Sequence, residues 1–251
     1  MSSSSEIHVL PDAPALFRAA ADRFVELTKA AVAARGRFTV ALSGGSTPRG
    51  LFGDLVASKS DQLPWDKMFF FWGDERHVPP DHPDSNYRMA NEALLSKVPV
   101  PAANIFRIPA EDSDASRAAA SYEATLRNFF QLGQGQLPRF DLMMLGMGPD
   151  GHTASLFPQT KALTETSHLV VANWVEKLHT HRITMTAPVL NASREVEFLI
   201  AGQDKAEAVH EVLEGTGSPE IYPSKLVKPI DGKLVFMMDE GAAAGLKRRA
   251  S

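Results

Sequence analysis

The chain has no cysteine in 251 residues, which excludes disulfides, thiolate metal sites and a cysteine nucleophile together, and suits a reducing compartment such as the cytoplasm. It has no basic excess. A formal net charge of −4 and a pI near 6.1 leave little to neutralise a phosphate backbone, so nucleic acid is not expected as a partner, whereas a small anion needs only a few local cations. Long apolar runs are missing too. Nothing approaches the ~20 residues that cross a bilayer, and the opening MSSSSEIHVL lacks the basic and apolar regions of an export signal, so neither membrane nor export is expected. What is present is a hydrophobic content of 44% against 22% charged residues, enough for a proper core in an ordinary soluble globular protein.

Asp12 can cap a helix reaching about Arg35, with Leu16, Ala20, Phe24, Leu27 and Ala31 on one face and Gly36 as its stop. Short continuous apolar runs follow, FTVAL (Phe38–Leu42) and MFFFW (Met68–Trp72), as expected of strands covered on both faces. Residues 140–145, 168–172, 183–186, 196–201 and 234–238 repeat that pattern. Helices are expected at 48–57, 85–97, 113–131, 203–214 and 240–246. Strands alternating with helices predict an α/β fold, a doubly wound and mostly parallel Rossmann-like sheet with helices on both faces. GQGQLP (133–138) and GTGSP (215–219) could be boundaries, but each lies between a helix and a strand of one alternating pattern, so a single domain over 1–251 is expected.

Ligands of such sheets collect beyond the carboxyl ends of strands, which singles out three loops. In Ser43-Gly44-Gly45-Ser46-Thr47-Pro48, two glycines allow close backbone approach and the following helix start attracts anions, a candidate phosphate seat. The same residues would equally serve a capped strand-to-helix turn with no ligand. In Gly73-Asp74-Glu75-Arg76-His77, three ionisable groups end a buried strand, a costly placement unless they meet a charged ligand or one another. Asp84-Ser85-Asn86 then caps a helix, and His77 and His82, among prolines, read as solvated.

The third loop, GMGPDGH, spells G-x-G-x-x-G after a strand. A dinucleotide cradle would need an acidic residue at the end of the next strand, and that strand closes on Val170-Val171-Ala172-Asn173. Asp150 in the turn would also repel a pyrophosphate. The loop instead delivers Asp150 and His152 to the strand ends, and an imidazole titrating near neutrality can take a proton from water and return it to a leaving oxygen. A histidine that merely fastens the loop would look the same. His179-x-His181 lacks an obvious third ligand, so no metal is expected. With no G-x-S-x-G elbow, a serine hydrolase of the α/β-hydrolase type is disfavoured. Arg182, Arg194 and Lys205, at strand ends and a helix start, are candidate cations for an anion site or plain surface charges.

ALSGGSTP (41–48), FFWGDERHVPPDHPDSNYRMANEALL (70–95), DLMMLGMGPDGHTASLFP (141–158), RITMTAPVLNASREVEFLIAG (182–202) with Lys205, and YPSKLVKP (222–229) resemble the 6-phosphogluconolactonases in order and spacing over nearly the whole chain. The resemblance implies hydrolysis of 6-phospho-D-glucono-1,5-lactone to 6-phosphogluconate in the oxidative pentose phosphate pathway, with a sugar phosphate as substrate and no metal or organic cofactor. It casts His152 as the base that activates water and Asp74 as the group orienting that base or a substrate hydroxyl. Ser43, Gly44, Gly45, Arg76, Arg182, Arg194 and Lys205 become the substrate and phosphate contacts. A monomer or weak homo-oligomer is expected.

Two rivals remain. Glucosamine-6-phosphate deaminases share a glycine loop, a D-E pair and a D-G-H motif, but follow the last with a glutamate-bearing A-F-N-E-P, where this chain has Thr153-Ala154-Ser155-Leu156-Phe157-Pro158; the D-E pair is followed here by Arg76 rather than an aromatic residue. A sugar-phosphate sensor that binds without reacting would need no histidine in the third loop and would normally carry a DNA-binding segment, which is not evident here.

Overall fold

The computed structural model describes residues 5–247. Six strands form one parallel sheet: β1 (Glu6–Leu10), β2 (Phe38–Leu42), β3 (Met68–Trp72), β5 (Leu142–Leu145), β8 (Glu195–Ile200) and β9 (Lys233–Asp239), in the order β1-β9-β8-β5-β2-β3. Every residue of β2, β5 and β8 is buried, so both faces of the sheet centre are covered, and this is what the unbroken apolar runs require. The chain steps outward from β2 to β3 and later returns to the other side of β2 as β5, so the direction of winding reverses between β2 and β5. The loops leaving these two strands therefore diverge and open a crevice.

The first helix, α1 (Ala13–Arg35), begins where Asp12 accepts a hydrogen bond from Ala15 N (2.7 Å) and ends at Gly36 in the left-handed region. It packs against β1, β2, β9 and α2 (Ser46–Asp54). On the far side of the chain's winding, α4 (Ala115–Phe130) holds the end of the edge strand β3: the buried Tyr122 hydroxyl accepts from Trp72 N (2.9 Å) and donates to Trp72 O (3.1 Å). An edge strand has backbone groups without a ladder partner, and one phenol satisfies both at the point where the chain turns toward the second loop. Phe71 stacks on Phe106 at 4.8 Å and meets Phe140 edge-on at 5.3 Å, filling the core beneath it.

The structure departs from the sequence-based expectation in five places. Residues 168–172 and 183–186 do not join the parallel sheet: β6 (Val170–Val175) and β7 (Thr180–Met185) form an antiparallel hairpin, because no helix separates them and only a crossover can return a strand parallel. DER, expected as loop, is strand β4 (Asp74–Arg76), which pairs antiparallel with β7 and completes a three-stranded sheet β4-β7-β6. Gly73 joins the two sheets, donating its N–H to Leu42 O (3.0 Å) and accepting from Met185 N (2.8 Å). EIHVL, given no element from the sequence, is β1, too short to show a period. Segment 240–246 is a run of turns rather than a helix, since the Asp239 carboxylate takes the Ala242 N–H (2.7 Å) and two glycines interrupt the segment. Of the remaining helices, α3 (Asn86–Ala93) and α6 (Ala206–Leu213) lie within expected segments, shorter than expected because single turns of 3-10 helix flank them, whereas α5 (Ala187–Asn191), with Pro188 in its first turn, falls where the sequence was given no element.

Candidate active site

The loop after β2 turns at Gly45, whose φ of 108° no residue with a Cβ adopts comfortably, and this aims the N-terminus of α2 into the crevice. No side chain caps α2. A Cβ on Gly44 would lie 1.8 Å from Asn86 Oδ1, so the turn rests on that side chain, which in turn donates from Nδ2 to Asp74 O (3.0 Å). Ser43 Oγ is buried and has no hydrogen-bond partner among the described residues.

Strand β4 faces this turn. Its middle residue, Glu75, is buried and accepts from Arg76 N (2.8 Å), Asn86 N (2.7 Å), Tyr87 N (2.8 Å) and Ser85 Oγ (3.2 Å). Burial pushes its carboxyl above the ordinary range, against the pull of the three N–H donors. Glu75 is thus a tether between β4 and the start of α3, where a carboxylate also meets the helix dipole favourably. Asp74 is buried as well, and its Oδ2 accepts from Ser155 Oγ (2.6 Å). Arg76 donates from Nη1 to Asp84 O (2.8 Å) and lies opposite Arg182 in the β4–β7 register. Burial, and then the neighbouring Arg76, lower the Arg182 pKa from its usual value, the mark of two guanidiniums forced together.

The loop after β5 carries the histidine. A Cβ on Gly148 would lie 2.1 Å from His152 Nδ1, so the imidazole occupies the space that a side chain would fill. Gly148 N donates to His152 O (2.9 Å), and Ser224 holds the turn from outside through its N (2.9 Å) and Oγ (2.8 Å), both to Gly151 O. His152 Nδ1 is 2.5 Å from Asp150 Oδ1, and its ring stacks on Phe157 with centroids 4.0 Å apart. Burial would raise the Asp150 carboxyl, but hydrogen bonds from His152 and Lys177 outweigh it and hold the group far below the usual carboxylate range. Asp150 is therefore ionised across the neutral range and fixes the ring by one nitrogen.

Ser43, Gly44, Gly45, Asp74, Arg76, His152 and Lys205 all line one cleft of about 260 Å³, together with Asn86 and Thr153. Drug-sized ligands occupy ~300–1,000 Å³, so this cleft suits a single sugar ring and its substituent. Arg182 is not among the residues lining it and stands opposite Arg76 on the neighbouring strand. Arg194 is a correction: it precedes β8 at the amino end of the sheet, away from the cleft, where its Nε lies 3.4 Å from Asp141 Oδ1 and its pKa is lowered by burial, Arg35 and Arg139. The expected strand at 196–201 already set Arg194 before it, at the amino end and not at the carboxyl end where ligands collect. Asp74 does not hold the imidazole. That position belongs to Asp150, two residues before the histidine, which the sequence placed in the loop without a role. His77, expected to be solvated, is half-buried, its Nε2 lying 2.6 Å from Asp112 O. His179 and His181 acquire no third ligand, and no group of three or more His, Asp or Glu suited to a metal occurs among the described residues.

A family model described as glucosamine-6-phosphate isomerases/6-phosphogluconolactonase matches residues 11–236. The chain is 43% identical over 240 residues to a 6-phosphogluconolactonase of Nostoc sp. (strain PCC 7120), a match covering 96% of this chain and 98% of that protein. A 6-phosphogluconolactonase of Synechocystis sp. is 44% identical over 221 residues, covering 88% and 89%. Among solved structures, 6-phosphogluconolactonase from Trypanosoma brucei superimposes with a TM-score of 0.87 at 29% identity, covering 98% of this chain and all of that one. The parallel sheet, the crevice beside β2 and β5, and these likenesses agree: the chain belongs to the glucosamine-6-phosphate isomerase/6-phosphogluconolactonase family.

Proposed function

We propose that this protein hydrolyses 6-phospho-D-glucono-1,5-lactone to 6-phospho-D-gluconate, acting in the cytoplasm as one folded unit. The observation that carries the reading is the placement of an aspartate-held imidazole and a cation-lined glycine turn on the same small cleft. Arg76, Arg182, Lys205 and the amides at the start of α2 hold the phosphate, and binding an anion there relieves the repulsion between the two arginines. Asp74, whose Oδ2 is tied to Ser155, takes a sugar hydroxyl on its other oxygen. A lactone is an activated ester, so no covalent nucleophile is needed. With its Nδ1–H donated to Asp150, His152 uses Nε2 to take a proton from water as the water oxygen bonds to the lactone carbonyl carbon. Collapse of the tetrahedral intermediate breaks the bond to the ring oxygen, which leaves with the proton from His152.

The deaminase reading finds less support. No carboxylate follows within 153–158, and Phe157 packs face to face with the imidazole in its place. The test is a stopped assay on freshly made phosphogluconolactone with spontaneous opening subtracted. His152→Ala should lose the ~10²–10⁴-fold that a general base contributes while still binding 6-phosphogluconate. Native protein no faster than the spontaneous reaction, or a variant as fast as native, would refute the proposal.

A further inference from the structure

The second oxygen of Asp150 has a partner that the lactone chemistry does not use. Lys177 Nζ donates to Asp150 Oδ2, while Oδ1 serves His152. Lys177 sits in the turn Glu176–Leu178 that joins β6 to β7, a turn closed by His179 in the left-handed region (φ 47°) and by a hydrogen bond from His179 N to Glu176 O (3.0 Å). Its ammonium also lies 4.9 Å from the centre of the Phe157 ring, the ring on which His152 stacks. One side chain of the small antiparallel sheet therefore touches both supports of an imidazole that belongs to the large one.

Asp150 needs such a support. It follows Pro149 and precedes Gly151 in a glycine-rich turn, and it stands between two cavities: His152 faces the cleft, while Asp150 lines a larger space of about 710 Å³ on its other side. A carboxylate there can rotate toward water and release the ring. We propose that Lys177 is a positioning residue for the His152–Asp150 pair, its ammonium locking the carboxylate so that His152 Nδ1–H meets one acceptor in one orientation. The proposal rests on the lactonase reading for its catalytic consequence, though not for its geometry. The charged and titratable groups around the pair are Glu176, Lys161 and His181 on the larger cavity, and Asp74, Arg76 and Lys205 on the cleft. Among the described residues, only Lys177 and His152 are found bonded to the Asp150 carboxylate.

Lys177 is 53% exposed, so substitutions there leave the fold intact. Lys177→Met removes the cation and keeps the stem; Lys177→Arg keeps the cation. With the ammonium gone, the Asp150 charge acts unopposed on the imidazolium. The NMR titration midpoint of His152, assigned by its loss in His152→Ala, should then rise by about half a pH unit for a partly exposed pair. Turnover should fall about tenfold, part of the ~10²–10⁴-fold due to general base catalysis, with KM within twofold because no phosphate contact changes. Lys177→Arg should restore both quantities. An unmoved midpoint in Lys177→Met, or an unchanged kcat, overturns the proposal. Should native protein fail to outpace spontaneous hydrolysis, the lactonase reading falls, and the ring titration still decides whether Lys177 governs the pair.

Discussion

Gly148→Ala isolates the placement of the imidazole from everything else in the cleft. The added methyl would lie 2.1 Å from His152 Nδ1, 2.2 Å from Cε1 and 2.8 Å from Asp150 Oδ1, whereas ordinary contact begins at 3.4 Å. The ring must therefore retreat by about an ångström, with Phe157 stacked on it at 4.0 Å, and its 2.5 Å contact with Asp150 is lost. A misplacement of ~1 Å costs roughly 10²-fold in rate, so kcat should drop by about that factor. KM should stay close to native, since Arg76, Lys205 and the turn at Gly44 are untouched. Stability should fall by ~1–3 kcal/mol, the cost of forcing a methyl into occupied space, although Gly148 does not have a positive φ and the backbone itself accepts alanine. The stopped lactone assay and a thermal melt measure the two quantities. A variant within threefold of native kcat would show that the ring need not stand where the geometry puts it.

Arg182→Ala should raise KM for the phosphorylated lactone about 10- to 100-fold, the loss of a charged hydrogen bond worth ~1.5–3 kcal/mol, while Arg194→Ala should leave KM unchanged. Equal effects from the two would contradict their placement, Arg182 beside Arg76 in the small sheet and Arg194 at the amino end of the large one. Glu197 provides a pH test. Buried beside Glu195, with Arg23 shared between the two, its carboxyl is pushed up by desolvation to about 8 from an ordinary 4.5. A raised pKa contributes stability that is complete below pH 4.5 and is lost as the pH climbs through 8. Glu197→Gln removes that loss, so its melting temperature relative to native should climb steadily between pH 5 and pH 9; a constant difference would refute the assignment.

The apolar runs made the parallel sheet legible because burial on both faces leaves a direct mark on composition. Asp12 and Gly36 likewise stand at the ends of α1 as their chemistry dictates. What escaped is structure made by distant partners. Asp74-Glu75-Arg76 reads as loop because three charges deny it a strand pattern, and it becomes a strand only because Ser155 and the start of α3 satisfy its carboxylates. In the cleft, the glycine turn and His152 could be read from local motifs. Asp150 was visible beside the histidine, but choosing it over Asp74 as the imidazole's partner required coordinates. Lys177 had no local signal at all, since its contact with Asp150 depends on how a hairpin folds back. Arg194 was legible as a misfit, because it opens its strand and so stands at the amino end of the sheet, away from the carboxyl ends that bound the cleft.

The position of β1 has a kinetic consequence. Among the described residues its only neighbour in the sheet is β9, and the two pair along their whole shared register, from Glu6 opposite Val235 to Leu10 opposite Asp239. A nascent chain emerging from the ribosome makes the first strand long before its partner exists, and closes that edge only after nearly every other element has been synthesised. Assembly of this border is thus a late, non-local event with a high entropic barrier, and the half-made molecule carries an open ladder that chaperones or neighbouring copies can reach.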